Sequence, residues 1–159
     1  MSYTPRVLGH VNVYVRNAER AQKWYEDLLG LHTYDFVPKV AAFMSADLDN
    51  SHELALMEVG EEAPPQVQGQ VGLNHMAWSM GSLEDLKELY QRIKDRNIPI
   101  DHVSDHGVSL GIYFRDPAGN GIEVYYEVPR SEWHRQDHIF SGEGRRKGQF
   151  PGPWDEIAA

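Results

Sequence analysis

The feature that most limits what this chain can fold into is an internal repeat. Leu8-Gly9-His10 and Leu73-Asn74-His75 coincide at a spacing of 65 residues, and the likeness continues beyond each histidine without a gap. Self-similarity of this kind means that the fold is assembled from copies of one supersecondary unit, and that no copy buries its apolar face alone. In the first copy Val11, Val13 and Val15 alternate with His10, Asn12 and Tyr14; in the second Met76, Trp78 and Met80 alternate with His75, Ala77 and Ser79. A period of two sends the sets to opposite faces of a strand. One face is therefore apolar and the other carries the histidines.

A helix is predicted after each strand. Asn17 and Ser82 are N-cap types, and Asp85 follows Ser82 in the manner of a capping box. Ala21, Trp24, Tyr25 and Leu28 make one apolar stripe, and Leu86, Leu89, Tyr90 and Ile93 make another. Gly30 and Asn97 tolerate the left-handed conformation that ends a helix. Three strands are expected after each helix: His32–Val37, Val40–Ala46 and Glu53–Val59, then Ile98–Val103, Gly111–Arg115 and Gly121–Val128. Asp116-Pro117-Ala118-Gly119-Asn120 is a turn signal between the last two. Gly60–Gln70, with its acidic and proline residues, reads as a linker, and Pro129–Ala159 shows neither period.

Composition narrows the chemistry. The 159 residues carry 15 Lys and Arg against 24 Asp and Glu, a formal charge of −9, which gives no general attraction to a nucleic acid or an anionic membrane surface. Zero cysteines remove disulfides, thiolate metal sites and a cysteine nucleophile. No apolar run approaches the roughly 20 residues of a membrane span, and Met1–Arg6 lacks an apolar signal core. The expected location is cytoplasmic. The eight histidines are what bulk properties leave unexplained.

Alternation along the last strand puts Gly121, Glu123, Tyr125 and Glu127 on one face. If the two copies pair their sheets into a concave surface, His10, His75 and Glu123 converge. Two imidazoles and one carboxylate on one side of a metal leave open positions suited to Fe(II) and also to Mn(II), and zinc can occupy such a site too.

On these residues the chain resembles the vicinal oxygen chelate superfamily, which includes glyoxalases, fosfomycin-resistance transferases, epimerases and extradiol ring-cleaving dioxygenases. The resemblance covers about residues 6–128. The stretch from His106 through Ile112-Tyr113, Asp116-Pro117 and Gly119 to Glu123 is similar to the signature of type I extradiol dioxygenases, with Ser104 as its one departure. Ser51-His52-Glu53-Leu54-Ala55-Leu56 is similar to the segment that carries the acid–base histidine of those enzymes, while a fourth glyoxalase ligand would fall near Ala55, with Glu58 close by.

The resemblance implies an α+β fold of two tandem βαβββ modules, about 6–60 and 71–128, forming one incomplete mixed β-barrel around a metal site with the helices outside. Residues 1–128 make the single domain and 129–159 a C-terminal extension. It further implies His10, His75 and Glu123 as ligands of Fe(II), with Mn(II) as the other candidate, His52 as acid–base, and His106 with Tyr113 as hydrogen bonders to substrate. The activity implied is cleavage of a catechol-type diol by O₂, in a homo-oligomer, without nucleic acid or membrane as partner. A metal-dependent isomerase, epimerase or thiol transferase, or a metal-free binding protein like those for bleomycin resistance, stays open. His32, His102, His134 and His138 are assigned to the surface. The aromatics of the extension, Trp133, Phe140, Phe150 and Trp154, are expected to fold back over the site mouth or a neighbouring subunit.

Overall fold

The computed structural model describes residues 4–67 and 69–133 in full, together with the backbone of Arg146–Lys147. Both copies of the repeat fold as a strand, a helix and three strands. The chain divides into two compact units: Met1–Val71 with Asp116–Asn120, and Gly72–Arg115 with Gly121–Ala159.

In the first unit β1 (Val11–Val15) leads into α1 (Ala18–Leu29), then β2 (His32–Val37), β3 (Ala41–Ser45) and β4 (Leu54–Glu58). The sheet order is β1-β4-β3-β2. β1 runs parallel to β4, and the other pairs are antiparallel. A parallel pair needs a crossover, which α1 and the two strands after it provide. The helix starts where expected: Oδ1 of Asn17 accepts the backbone N–H of Arg20 at 2.8 Å. It stops at Gly30, whose φ of 71° is the left-handed conformation that spares the last carbonyls. Ala18, Ala21, Tyr25 and Leu28 are buried, as are Val13 and Val15 on the strand.

The second unit repeats the plan with β5 (Met76–Ser79), α2 (Leu83–Asp95), β6 (Ile100–Asp105), β7 (Ser109–Arg115) and β8 (Gly121–Glu127). A two-residue strand β9 (Arg146–Lys147) adds to the edge, giving the order β5-β8-β7-β6-β9. Ser82 Oγ accepts the N–H of Asp85 at 3.1 Å and donates to its carboxylate at 2.7 Å. Leu86, Leu89 and Ile93 of α2 are buried, as are Ile112, Phe114, Ile122 and Val124 of β7 and β8. The architecture is α+β, with two mixed sheets and no closed barrel among the described residues.

Two boundaries move for identifiable reasons. The strand expected at Ile98–Val103 begins at Ile100, because Asn97 is left-handed (φ 54°) and the Ile98 N–H bonds back to the Ile93 carbonyl. The strand expected at Gly111 begins at Ser109, where the His106 N–H to Ser109 carbonyl bond closes the preceding turn.

The Asp116–Asn120 turn belongs with the first unit. Buried Asp116 is its hub: Oδ1 accepts the N–H groups of Ala118 and Asn120, both at 2.8 Å, and Oδ2 accepts the Tyr25 hydroxyl at 3.1 Å and the Asn120 amide at 2.8 Å. Asn120 also donates to the Tyr14 carbonyl at 3.0 Å. The Asp-Pro-x-Gly part of the signature is thus a scaffold that ties a turn to α1.

Candidate metal centre

Glu123 sits in the middle of β8 and faces Tyr113 of β7 and Ala77 of β5 directly across the ladder. Its alternation partners Ile122 and Val124 are fully buried, so the register leaves Glu123 on the polar face. His75 immediately precedes β5, and its Nε2 stands 3.1 Å from Oε2 of Glu123. Oδ1 of Asn74 lies 2.7 Å from the other ring nitrogen, Nδ1. That contact holds the ring so that Nε2 is the nitrogen turned toward Glu123. The Tyr113 hydroxyl donates to Oε1 of Glu123 at 2.7 Å, which leaves Oε2 to the His75 imidazole.

The pair suits a divalent ion. Two donors at right angles on one ion, each about 2.1 Å from it, stand about 3.0 Å apart, which matches the observed separation. Among the described residues no three His, Asp or Glu side chains gather closely enough to hold an ion; in this unit His75 and Glu123 are a pair.

Two glycines make the pair possible. A Cβ on Gly121 would come within 2.3 Å of the Asn74 carbonyl oxygen and 3.1 Å of the His75 Cβ. A Cβ on Gly111 would come within 2.5 Å of Oε1 of Glu123. Neither glycine has a positive φ, so close approach, and not backbone conformation, is what requires them.

His75, Tyr113, Glu123 and His106 line one cavity of about 500 Å³, whose walls include Ala77, Val108 and Trp133. That volume falls within the range of small-molecule sites. His75 and Tyr113 meet edge to face, 5.3 Å between centroids. His102, assigned to the surface from sequence, is indeed exposed, yet its ring stacks on Tyr113 at 4.1 Å and 9°. The cross-strand pairing His102↔Tyr113 is the signal that accounts for this, since facing residues on paired strands share a face.

His10 and His52 lie together in the first unit, their rings 4.5 Å apart, and Phe43 meets His52 edge to face at 5.6 Å. His52 is half-buried, with Nδ1 3.1 Å from the Ser51 hydroxyl. Asn12 faces Ala55 in β1–β4 as Ala77 faces Glu123 in β5–β8. Ala55 therefore occupies the first module's equivalent of Glu123 and brings only a methyl group. Nearby Glu58 is committed elsewhere, its Oε2 accepting the Ala18 N–H at 2.9 Å where α1 begins. His32 is exposed, its ring against Tyr34 at 4.5 Å. His134, His138, Phe140, Phe150 and Trp154 lie outside the described residues.

The family model for the Glyoxalase/Bleomycin resistance protein/Dioxygenase superfamily matches residues 7–124. The chain belongs to this superfamily. Among similar proteins, Biphenyl-2,3-diol 1,2-dioxygenase 3 of Rhodococcus globerulus is 33% identical over 125 residues, covering 78% of this chain and 64% of that one. Catechol-2,3-dioxygenase of Bacillus subtilis (strain 168) is 30% identical over 129 residues, 80% of this chain and 44% of that one. A manganese-dependent 2,3-dihydroxybiphenyl 1,2-dioxygenase of Geobacillus genomosp. 3 is 24% identical over 77% of this chain and 37% of its own length. The chain thus spans less than two thirds of each of these relatives. The superfamily fold is shared with a glyoxalase/dioxygenase from Nostoc punctiforme, with a TM-score of 0.67 and 23% identity over 81% of this chain and 98% of that one. No helix among the described residues is long and apolar enough to cross a membrane.

Proposed function

We propose that this chain is an extradiol dioxygenase that cleaves a catechol-type aromatic diol with O₂, using Fe(II), or Mn(II), held by His10, His75 and Glu123. Residues 1–128 form the working domain and 129–159 its extension. The observation that carries the reading is the oriented donor pair, Nε2 of His75 and Oε2 of Glu123, each tied by its other atom to Asn74 and to Tyr113. His10 completes the set as the repeat equivalent of His75. Relatives named as diol dioxygenases support the chemistry, and Ala55 at the place of a fourth ligand disfavours a glyoxalase-type set.

When bound, the metal supplies adjacent sites for the two reactants and the path for electrons between them. His52 takes the proton of the second diol hydroxyl and later returns one, a task suited to an imidazole, which can both accept and donate a proton. His106, on the cavity wall, donates a hydrogen bond to one diol oxygen; Tyr113, whose hydroxyl donates to Glu123 in the free site, turns that hydrogen to the other diol oxygen when the substrate is bound. Both atoms of O₂ enter the semialdehyde-type muconic product, and no outside reductant is consumed. The working assembly is a homo-oligomer, a statement that sedimentation of monomer alone would discard.

The test is anaerobic loading with Fe(II), addition of catechol, then air. A yellow ring-fission product with one O₂ consumed per diol, abolished by His10→Ala, is expected. A metal-loaded protein that takes up no oxygen with any catechol overturns the reading. Turnover of another substrate without oxygen would instead favour the non-redox branches of the superfamily.

A further inference from the structure

We propose that Trp133 is a specificity-determining wall of the cavity, a fixed indole against which the aromatic ring of the ligand stacks. The residue lies outside the superfamily match, which ends at residue 124, and beyond the last strand of the repeat. A single 3₁₀ turn, Arg130–Glu132, follows β8 and ends at Trp133. Two contacts hold it. The indole Nε1–H donates to the Val128 carbonyl at 2.7 Å, and the Arg130 guanidinium lies over the ring, 5.1 Å from its centroid. The indole is half-buried and lines the same cavity as His75, Tyr113 and Glu123.

These facts fit a recognition surface better than a packing anchor. A core tryptophan is fully buried, whereas this one, among the described residues, is half-buried on a cavity wall while its polar edge is satisfied by the backbone. The arginine over the ring and the bond at Nε1 remove most of its rotamer freedom before a ligand arrives, which lowers the entropy cost of binding. Stacking against a planar ring then adds to the burial of apolar area. The inference rests on the proposed diol chemistry for the ligand's polar end, but the wall itself demands only a flat aromatic body.

The probe is 2,3-dihydroxynaphthalene, titrated into the full chain under argon by calorimetry. Trp133→Ala is expected to weaken its binding about tenfold, the size of one lost aromatic face. Trp133→Phe should recover most of that loss. Nuclear Overhauser contacts between the Trp133 indole and naphthalene protons in the unmodified protein give a readout that needs no variant to fold. Unchanged affinity in Trp133→Ala, no such contacts with the ligand bound, or no binding of the probe at all, overturns the proposal. Oxygen uptake with plain catechol separates it from the reading of function. Ring cleavage with an indifferent Trp133 removes only the wall, while a Trp133-dependent ligand that is never cleaved removes only the dioxygenase.

Discussion

The imidazole of His102 lies flat on the phenol ring of Tyr113, 4.1 Å between centroids and 9° between planes. The same phenol donates its hydroxyl to Glu123 at 2.7 Å. The stack thus limits the ring from one side while the hydrogen bond limits it at its tip, and both act on the carboxylate that pairs with His75. His102→Ala should therefore weaken Mn(II) binding by about two- to tenfold, the worth of one aromatic pair. His102→Phe should restore it, since a flat ring is all the stack requires. Competition titration against a chelating dye measures both, and equal affinities in all three proteins would show that the stack does not reach the ligands.

Tyr113→Phe removes the donor outright. An outer hydrogen bond of this kind orients the carboxylate, and its loss is expected to cost about 10- to 100-fold in metal affinity. The same titration reads it, with circular dichroism to confirm an intact fold. Undiminished affinity would mean that the register of β7 and β8 alone aims Glu123.

Much of the fold is legible in the sequence because the repeat, the N-caps at Asn17 and Ser82 and the turn at Asp116 are local signals. Strand alternation likewise suffices to put Glu123 on the polar face. What escapes sequence reasoning is pairwise. Nothing in the residues near His102 says that register will set it against Tyr113, and Asn74 differs from its repeat partner Gly9 without announcing that its side chain meets the His75 ring. Gly111 and Gly121 look like ordinary strand glycines until the approaching atoms are known. Trp133 is expected from the sequence to fold back over the site mouth or onto a neighbouring subunit, and it does line the cavity; what the sequence leaves out is the three-residue turn that precedes it.

Gly111→Ala is the sharpest probe of close approach. Its new methyl would stand 2.5 Å from Oε1 of Glu123, so either the carboxylate turns away or the strand shifts. A side chain yields more easily than a ladder, and the expected result is loss of metal binding of at least tenfold with about 1–3 kcal/mol of destabilisation from overpacking. Metal titration and thermal unfolding on one sample separate the effects. Full metal affinity in a folded Gly111→Ala protein would place the functional carboxylate elsewhere.

His52 packs its ring against His10 at 4.5 Å and Phe43 at 5.6 Å. His52→Phe keeps an aromatic ring in that place and removes only the exchangeable proton. If the residue is the acid–base group, kcat with an unactivated catechol should fall by about 10²- to 10⁴-fold, with metal content unchanged. Full turnover would reassign the proton transfer, whereas loss of metal would show that the ring supports His10.

Tyr25 is fully buried in α1, with its hydroxyl 3.1 Å from Asp116. Burial raises its pKa well above 10.0, and the Asp116 charge and hydrogen bond raise it further. The folded state therefore holds this proton more tightly than the unfolded chain does. Its contribution is fully present below the unfolded value near 10, and it is lost as pH rises from there toward the folded value. Stability of the natural protein should fall steeply in alkali above about pH 10. Tyr25→Phe should lose about 1–3 kcal/mol at neutral pH, because Asp116 is left one donor short in a buried site, but should show a shallower alkaline decline. Denaturant unfolding at neutral pH and in alkali tests both halves. Parallel curves for the two proteins would mean that Tyr25 ionises only after the unit has already opened.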